Sequence, residues 1–483
     1  MTRRLRAFAL LLACVLPPGS GALARVLSPE IEQALAREGV PIDAVSVVVQ
    51  EAGSGQPQVS LNATRPVNPA SLAKLLITYA ALDELGPAFT WKTPVWFGGP
   101  VKDGVLDGPL VLQGRGDPKL SLERLWLALQ RVRQMGVTEI RGDIVLDQGA
   151  FVVPPGSPGD FDNEPLRPYN TRPQALLLNL STVVYTFTPD VARGVATVSA
   201  EPALDALLTD PTVPLSSGPC NDWRATLKAS LGDPVRLQFG GSFPVACGER
   251  VWPLAHADAR LYAQRLIATL WRAAGGRLTG SVVEGSAPQG LAPIFELTSP
   301  PLADVVRDIN KFSNNVMAQQ LFFTFALQRS GAASVGVEDA RAALRRWLAD
   351  RLGESPESMA GVVIDSGSGL SRETRVSARL LAHLLQRAWS SPVMPELMAS
   401  LPVTGLDGTL RRSRATVGRA HLKTGSLRDV AGLAGYVLGA SGRRYVLVAV
   451  INHPNANAAR PALDALVQWT MNDLNPRFGT PRP

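Results

Sequence analysis

Asn68-Pro69-Ala70-Ser71-Leu72-Ala73-Lys74 is the stretch on which the reading of this chain turns. The apolar spacing that follows predicts a helix over Ser71 to Leu85, its start signalled by Asn68-Pro69-Ala70. Three-residue helical spacing puts Ser71 and Lys74 on one face. At a helix N-terminus the serine gains the positive end of the dipole and nearby backbone N–H groups. A serine hydroxyl is a poor nucleophile until an adjacent base takes its proton. A lysine with a depressed pKa can be that base, whereas an arginine cannot. The chain uses arginine heavily, 41 Arg against seven Lys (74, 92, 102, 119, 228, 311 and 423), and only Lys74 has a serine three positions before it. An ordinary helix start with a snorkelling lysine is the plainer reading of the same residues.

Two more short motifs lie downstream. Lys423-Thr424-Gly425-Ser426 sits in a strand-like stretch leading to Asp429. A strand edge can pair with an extended peptide, and Gly425 leaves its backbone open to close approach. Lys423 can hold a substrate carboxylate, and it can repel a proton from Lys74. At ~4 Å and an effective dielectric of about 20, like charges cost ~4 kcal/mol, an upper bound of roughly three pKa units. A turn with a surface lysine is the alternative. Ser313-Asn314-Asn315 follows Asn310-Lys311-Phe312. Ser313 can relay a proton between Lys74 and a leaving amine, and Asn315 can hydrogen-bond a substrate amide. Ser-x-Asn is weak by itself, since Ser60-Leu61-Asn62 also fits, and the segment also reads as the cap of a helix over Val316 to Leu327.

Outward from these motifs, both ends of the chain read as parts of one domain. Asp43 to Glu51 and Gln58 to Asn62, joined through Gly53-Ser54-Gly55, predict a hairpin. His421 to Arg428, Ala431 to Ala440 and Arg444 to Asn452 predict three strands, and Ala458 to Leu474 an amphipathic helix. The middle carries an internal echo. A helix over Leu122 to Met135 leads through Gly136 and Gly142 into a strand, and a helix over Tyr262 to Ala274 leads through Gly275 and Gly280 into another. Residues 155–173 are loop-rich, and 174–249 alternate in short strands. The resulting division is a terminal domain over 25–92 and 290–483, an inserted domain over 93–170 and 250–289, and a β-rich unit over 171–249 inserted in turn within it.

Arg3, Arg4 and Arg6, the apolar run Ala7 to Leu16 and Ala22-Leu23-Ala24 read as a signal peptide cleaved after Ala24. Leu11-Leu12-Ala13-Cys14 also fits a lipoprotein box, which would make Cys14 a lipidated terminus. Removing residues 1–24 takes three Arg and no acid, so the formal charge falls from +7 to +4. That suits an anionic wall polymer. No basic run of the kind nucleic-acid binding needs is present. Cys220 and Cys247 remain, an even pair that reads as a disulfide in an exported chain, with two buried thiols as the alternative. His256, His383, His421 and His453 form no HExxH, which argues against a zinc peptidase, and no GxSxG elbow marks a Ser-His-Asp hydrolase.

SxxK, then SxN, then KTG, in that order, is the signature set of penicillin-recognising serine enzymes. The chain resembles the class C low-molecular-mass penicillin-binding proteins, the D-alanyl-D-alanine carboxypeptidase/endopeptidases. The 242-residue gap from Ser71 to Ser313 suits that subgroup, which carries two extra domains there. Gln113 to Pro118, Asp365 to Arg372 and Leu401 to Leu410 also match, so the resemblance covers nearly the whole chain after residue 24. It implies an α/β (α+β) fold: a penicillin-binding, transpeptidase-like domain with a five-stranded antiparallel sheet flanked by helices, plus two smaller inserted domains. It implies Ser71 as the acylated nucleophile, Lys74 as its base, Ser313 and Asn315 as the second element, and Lys423, Thr424 and Gly425 as the third. The N–H groups of Ser71 and Ser426 would form the oxyanion hole. Glu164 and Tyr169 sit in the loop that contacts a diaminopimelate side chain in relatives. The implied partners are peptidoglycan peptides and β-lactams as covalent inhibitors, with no metal or cofactor and a periplasmic location. A β-lactamase or esterase on the same fold, or a non-catalytic wall-binding protein, are the alternatives.

Overall fold

The computed structural model describes residues 27–475 apart from 206, 234, 235, 257 and 354. The expected leader and Cys14 lie outside the described residues.

The two ends of the chain meet in one five-stranded antiparallel sheet, in the order Pro57–Leu61, Val45–Glu51, Arg444–Asn452, Val430–Leu438, Ala420–Leu427. Hairpins alone do not build it. The N-terminal hairpin adds to the C-terminal meander through Val45–Glu51, where Val47 faces Ala449. The sheet is buried on both sides, which is why its central strands read as nearly unbroken apolar runs. Side chains alternate between the faces. From Arg444–Asn452, Val446, Val448 and Val450 enter a core shared with helices Lys74–Leu85, Leu302–Phe312, Asn315–Ser330, Val337–Leu352 and Ala378–Trp389. Tyr445, Leu447, Ala449 and Ile451 enter another, covered by Pro29–Arg37 and Arg460–Met471.

The start of the helix differs from the expectation. Ala70–Ala73 forms a 3-10 turn, and the α-helix runs only over Lys74–Leu85. The turn is tied at its entry. The Ala70 N–H donates to Asn68 Oδ1 at 2.9 Å, and Asn68 exchanges hydrogen bonds of 2.8 and 2.9 Å with the Asn452 side chain on the sheet. Ala70 is thereby held at φ 47°, a conformation a regular helix start does not use. Ser71 and Lys74 keep one face, because residues three apart eclipse in a 3-10 turn.

The internal echo pairs with itself. Arg277–Leu278 lies parallel to Glu139–Ile140, and Val282–Glu284 parallel to Ile144–Asp147, with Arg277 facing Glu139 and Val282 facing Ile144. The preceding helices, Leu122–Gln134 and Ala259–Ala273, contribute to the same core. Lys92–Phe97 and Phe295–Thr298 pair antiparallel at the edge of this sheet. Thr182–Asp190, Val195–Glu201, Thr212–Ser216, Phe243–Pro244 and Arg250–Ala255 form a further sheet. Its core is aromatic, with Phe187, Trp223, Phe239 and Phe243 in contact. Cys220 and Cys247 are joined in a disulfide beside it.

Candidate active site

Ser71 enters the site from the 3-10 turn and Lys74 from the first residue of the helix. Lys74 is 0% exposed. Its Nζ lies 2.8 Å from Ser71 Oγ, 2.7 Å from Asn315 Oδ1 and 2.5 Å from the Ser368 carbonyl. The Asn315 amide points that way because its Nδ2 donates to the Tyr169 carbonyl at 3.4 Å.

Ser313 and Asn315 flank a break between two helices. Ser313 ends Leu302–Phe312 in the left-handed conformation, φ 56°, and Asn314 caps Asn315–Ser330 by accepting from the Met317 N–H at 3.0 Å. The capping reading was therefore sound for the middle residue, while its two neighbours are turned to the site. Lys311, one turn earlier, is buried and donates to the Leu401 carbonyl and to Asp407 Oδ2, each at 2.6 Å. That pair holds the break against the 408–410 turn, where Thr409 Oγ1 meets Thr424 Oγ1 at 2.8 Å.

Lys423 is also 0% exposed, and its Nζ donates to Ser313 Oγ at 2.9 Å and to the Thr424 carbonyl at 2.8 Å. Its strand is the edge of the sheet, and Gly425 is required where it crosses the serine turn. A Cβ there would stand 2.7 Å from the Pro69 carbonyl oxygen and 3.1 Å from Leu72 Cγ. The Leu422 N–H donates outward to the Pro402 carbonyl. By the period of two, the N–H groups of Thr424 and Ser426 face the same outer side. The Ser426 hydroxyl is exposed and bonds to Asn457 Oδ1 and to Arg460 Nη2, at 3.1 and 2.8 Å.

Burial pushes the Lys74 amine well below the usual lysine range, and the Lys423 charge adds to it. Burial alone pushes Lys423 down to about 7. The repulsion between the two lysines, the cause argued from sequence, is thus the lesser one. Desolvation of an ammonium favours its neutral form without any neighbour.

The fourth wall was named in the sequence without a role. In Asp365 to Arg372, Ser368 supplies its carbonyl to Lys74. The Gly367 N–H is held by Gln319 Oε1 at 2.8 Å, and a Cβ at Gly369 would lie 2.0 Å from the Ala70 carbonyl oxygen. Backbone carbonyls leave little mark on a sequence; the paired glycines were the available sign. Arg372 rests over the Phe161 ring at 4.9 Å and pairs with Asp429 at 3.0 Å, linking the 155–173 loop to the turn after the edge strand.

An open cavity of about 500 Å³ adjoins Lys74, lined by Asp160, Tyr169, Arg172, Asn315, Asp365 and Ser368 among others. Tyr169 is therefore brought to the site, with its hydroxyl on Asp162 at 2.8 Å. Glu164 is not: it pairs with Arg167 at 3.3 Å and lines a separate cavity with Asp222, Arg224 and Trp252. The chain turns between the two positions, where the Arg167 N–H donates to the Glu164 carbonyl at 3.1 Å, so membership of one loop did not place both on one side. Among the described residues no group of His, Cys, Asp or Glu is arranged to hold a metal ion.

A sheet built from both chain ends, a buried SxxK lysine and an edge strand carrying KTG together define a penicillin-recognising serine peptidase. The chain belongs to the D-Ala-D-Ala carboxypeptidase 3 (S13) family, whose model matches residues 27–473. It is 28% identical over 476 residues to a D-alanyl-D-alanine carboxypeptidase of Actinomadura sp. (strain R39), covering 92% of this chain and 84% of that protein. It is 26% identical to the D-alanyl-D-alanine carboxypeptidase DacB of Haemophilus influenzae, over 79% of this chain and 80% of that one. The fold is shared with the crystal structure of penicillin binding protein 4 (dacB) from Haemophilus influenzae, with a TM-score of 0.76, 22% identity and coverage of 92% of this chain and 99% of that one.

Proposed function

We propose that this serine-type D-Ala-D-Ala carboxypeptidase works through an acyl-enzyme on Ser71, with neutral Lys74 as the base. One observation carries the reading, the set of partners around Lys74 Nζ. A neutral amine has two N–H bonds and one lone pair. Asn315 Oδ1 and the Ser368 carbonyl are both acceptors and take the two hydrogens. The lone pair is left for the Ser71 hydroxyl at 2.8 Å. As Ser71 Oγ attacks the carbonyl of the penultimate D-Ala, its proton passes to Lys74. The developing oxyanion is met by the N–H groups of Ser71 and Ser426. Ser313, held by Lys423, is the relay that delivers a proton to the departing D-Ala amine. Water then hydrolyses the ester.

The edge strand supports binding of an extended stem peptide in antiparallel pairing, with Thr424 and Ser426 offering outward N–H groups. The same acyl transfer would open D-Ala-diaminopimelate cross-links, an endopeptidase activity, and would leave a β-lactam bound to Ser71. Asn315 would orient the substrate amide, and the Tyr169 cavity would receive the side chain of the third stem residue. Residues 1–24 support export to the periplasm, where these substrates are. Incubating purified protein with muropeptides and weighing the products tests the reading. Loss of one D-Ala from pentapeptides, or conversion of cross-linked dimers to monomers, is expected for the wild type and not for Ser71→Ala. Unchanged muropeptides, or products that survive Ser71→Ala, would refute it.

A further inference from the structure

The substrate class named by the family ends in a carboxylate, one residue beyond the scissile bond. Lys423 is poorly placed to answer that charge. Its amine is buried and already committed to Ser313 Oγ and the Thr424 carbonyl. Lys423 and Gly425 face the serine turn; Thr424 and Ser426 point the other way along the strand.

On that other side stands Arg460, the first residue of the last helix, Arg460–Met471. Its Nη2 donates to Ser426 Oγ at 2.8 Å and to Asn457 Oδ1 at 3.0 Å, and its Nε to Asn457 Oδ1 at 3.3 Å. Asn457 is itself fixed by donating to the Leu427 and Arg428 carbonyls, at 2.7 and 3.1 Å. The guanidinium is exposed, and each of these acceptors is neutral. Among the described residues no carboxylate pairs with Arg460, and Nη1 has no hydrogen-bond partner. An arginine keeps its charge at every working pH and offers a planar fork to carboxylates.

Resting on the reading above, we propose that Arg460, together with the Ser426 hydroxyl it orients, recognises the terminal carboxylate of the leaving D-Ala and makes the enzyme selective for peptides with a free C-terminus. The geometry is short-range. A scissile carbonyl oxygen held by the Ser426 N–H places the next residue's carboxylate about one residue length away, ~3.5 Å of extended chain. The Ser426 hydroxyl belongs to the residue whose N–H holds that oxygen, and the guanidinium is bonded to the hydroxyl at 2.8 Å. In a D-Ala-diaminopimelate cross-link the leaving amine also carries a carboxylate on the adjacent carbon, so the same contact would serve both reactions.

The test compares hydrolysis of diacetyl-L-Lys-D-Ala-D-Ala with that of its C-terminal amide. Wild type is expected to prefer the acid. Arg460→Gln is expected to lower kcat/KM for the acid about 10- to 100-fold, as loss of a charge-assisted contact does, and to leave the amide within about twofold. Arg460→Lys, which keeps the charge, is expected to retain part of the preference. A structural role would lower both substrates together, and that result overturns the proposal, as does a wild type indifferent to the terminus. Ser71→Ala, run in parallel, addresses the underlying reading separately. D-Ala release that survives that variant sinks the serine mechanism, whatever Arg460 does.

Discussion

At the scale of single residues, the site rests on two fully buried lysines. Among the described residues no carboxylate pairs with either, and burial pushes both amines toward the neutral form. The prediction for Lys74 concerns charge and not size. Lys74→Arg keeps a cation but removes the base, and is expected to slow acylation by benzylpenicillin by about 10²–10⁴-fold, the usual worth of a general base. A stopped-flow or gel-label rate constant within tenfold of wild type would contradict the assignment. For Lys423 the expectation is a pH-dependent stability. Below about 7 both folded and unfolded chains hold its proton, so the fold carries the full cost of a buried charge. Between about 7 and the ordinary lysine value the unfolded chain holds more protons, so stability rises with pH. Wild type is expected to gain on Lys423→Met by on the order of a few kcal/mol between pH 7 and 10. Thermal melts across that range check it, and a gap that does not move with pH would refute it. The serine and both lysines were legible because each lies in a short motif of its own, Ser71 to Lys74 and Lys423 to Ser426. The Ser368 carbonyl and the Lys311–Asp407 pair were not, because they act through backbone and through contacts that only the fold creates.

At the scale of elements, the site depends on three segments pressing on one turn. The edge strand touches the Pro69 carbonyl, the 365–371 loop touches the Ala70 carbonyl, and Asn452 ties the turn to the sheet. These contacts explain why a helix expected from Ser71 begins at Lys74. Apolar spacing reported where the helix lies, and it carried no information on the strands that tighten its first turn. Gly425→Ala is the direct probe. Its Cβ would force the strand off the Pro69 carbonyl, at a cost of about 1–3 kcal/mol for overpacking, and is expected to lower the acylation rate by at least tenfold. Melting and penicillin-labelling rates read the two effects, and a variant that labels like wild type would show that the crossing is not needed. The strands of the central sheet were legible within a residue or two, because sheets buried on both faces leave long apolar runs. Glu164 shows the opposite case, since a loop without periodicity gives no sign of which way each side chain turns.

At the scale of the whole molecule, the chemistry and the disulfide lie in different cores. The segments that hold Ser71 pack around the sheet built from the two chain ends, while Cys220–Cys247 closes a loop beside the aromatic cluster of Phe187 and Trp223. Replacing both cysteines with alanine is expected to cost about 3–4 kcal/mol on the chain-entropy account and to leave the penicillin acylation rate unchanged. Calorimetry should then show a lowered melting temperature while labelling stays at the wild-type rate; a matching fall in acylation would mean the two cores are coupled. The echo of helix, glycine and strand was visible in the sequence, and the fold pairs its two copies strand to strand. What no local pattern announced was that two segments so far apart would share a sheet, since parallel pairing depends on everything packed between them.

The central claim is that the hydroxyl at position 71 takes the acyl group. Peptide-mapping mass spectrometry after a brief exposure to benzylpenicillin tests it most directly. The account predicts one penicilloyl adduct on the peptide containing Ser71, absent from Ser71→Ala and sharply reduced in Lys74→Arg. An adduct on any other residue, or one that persists in Ser71→Ala, would contradict it.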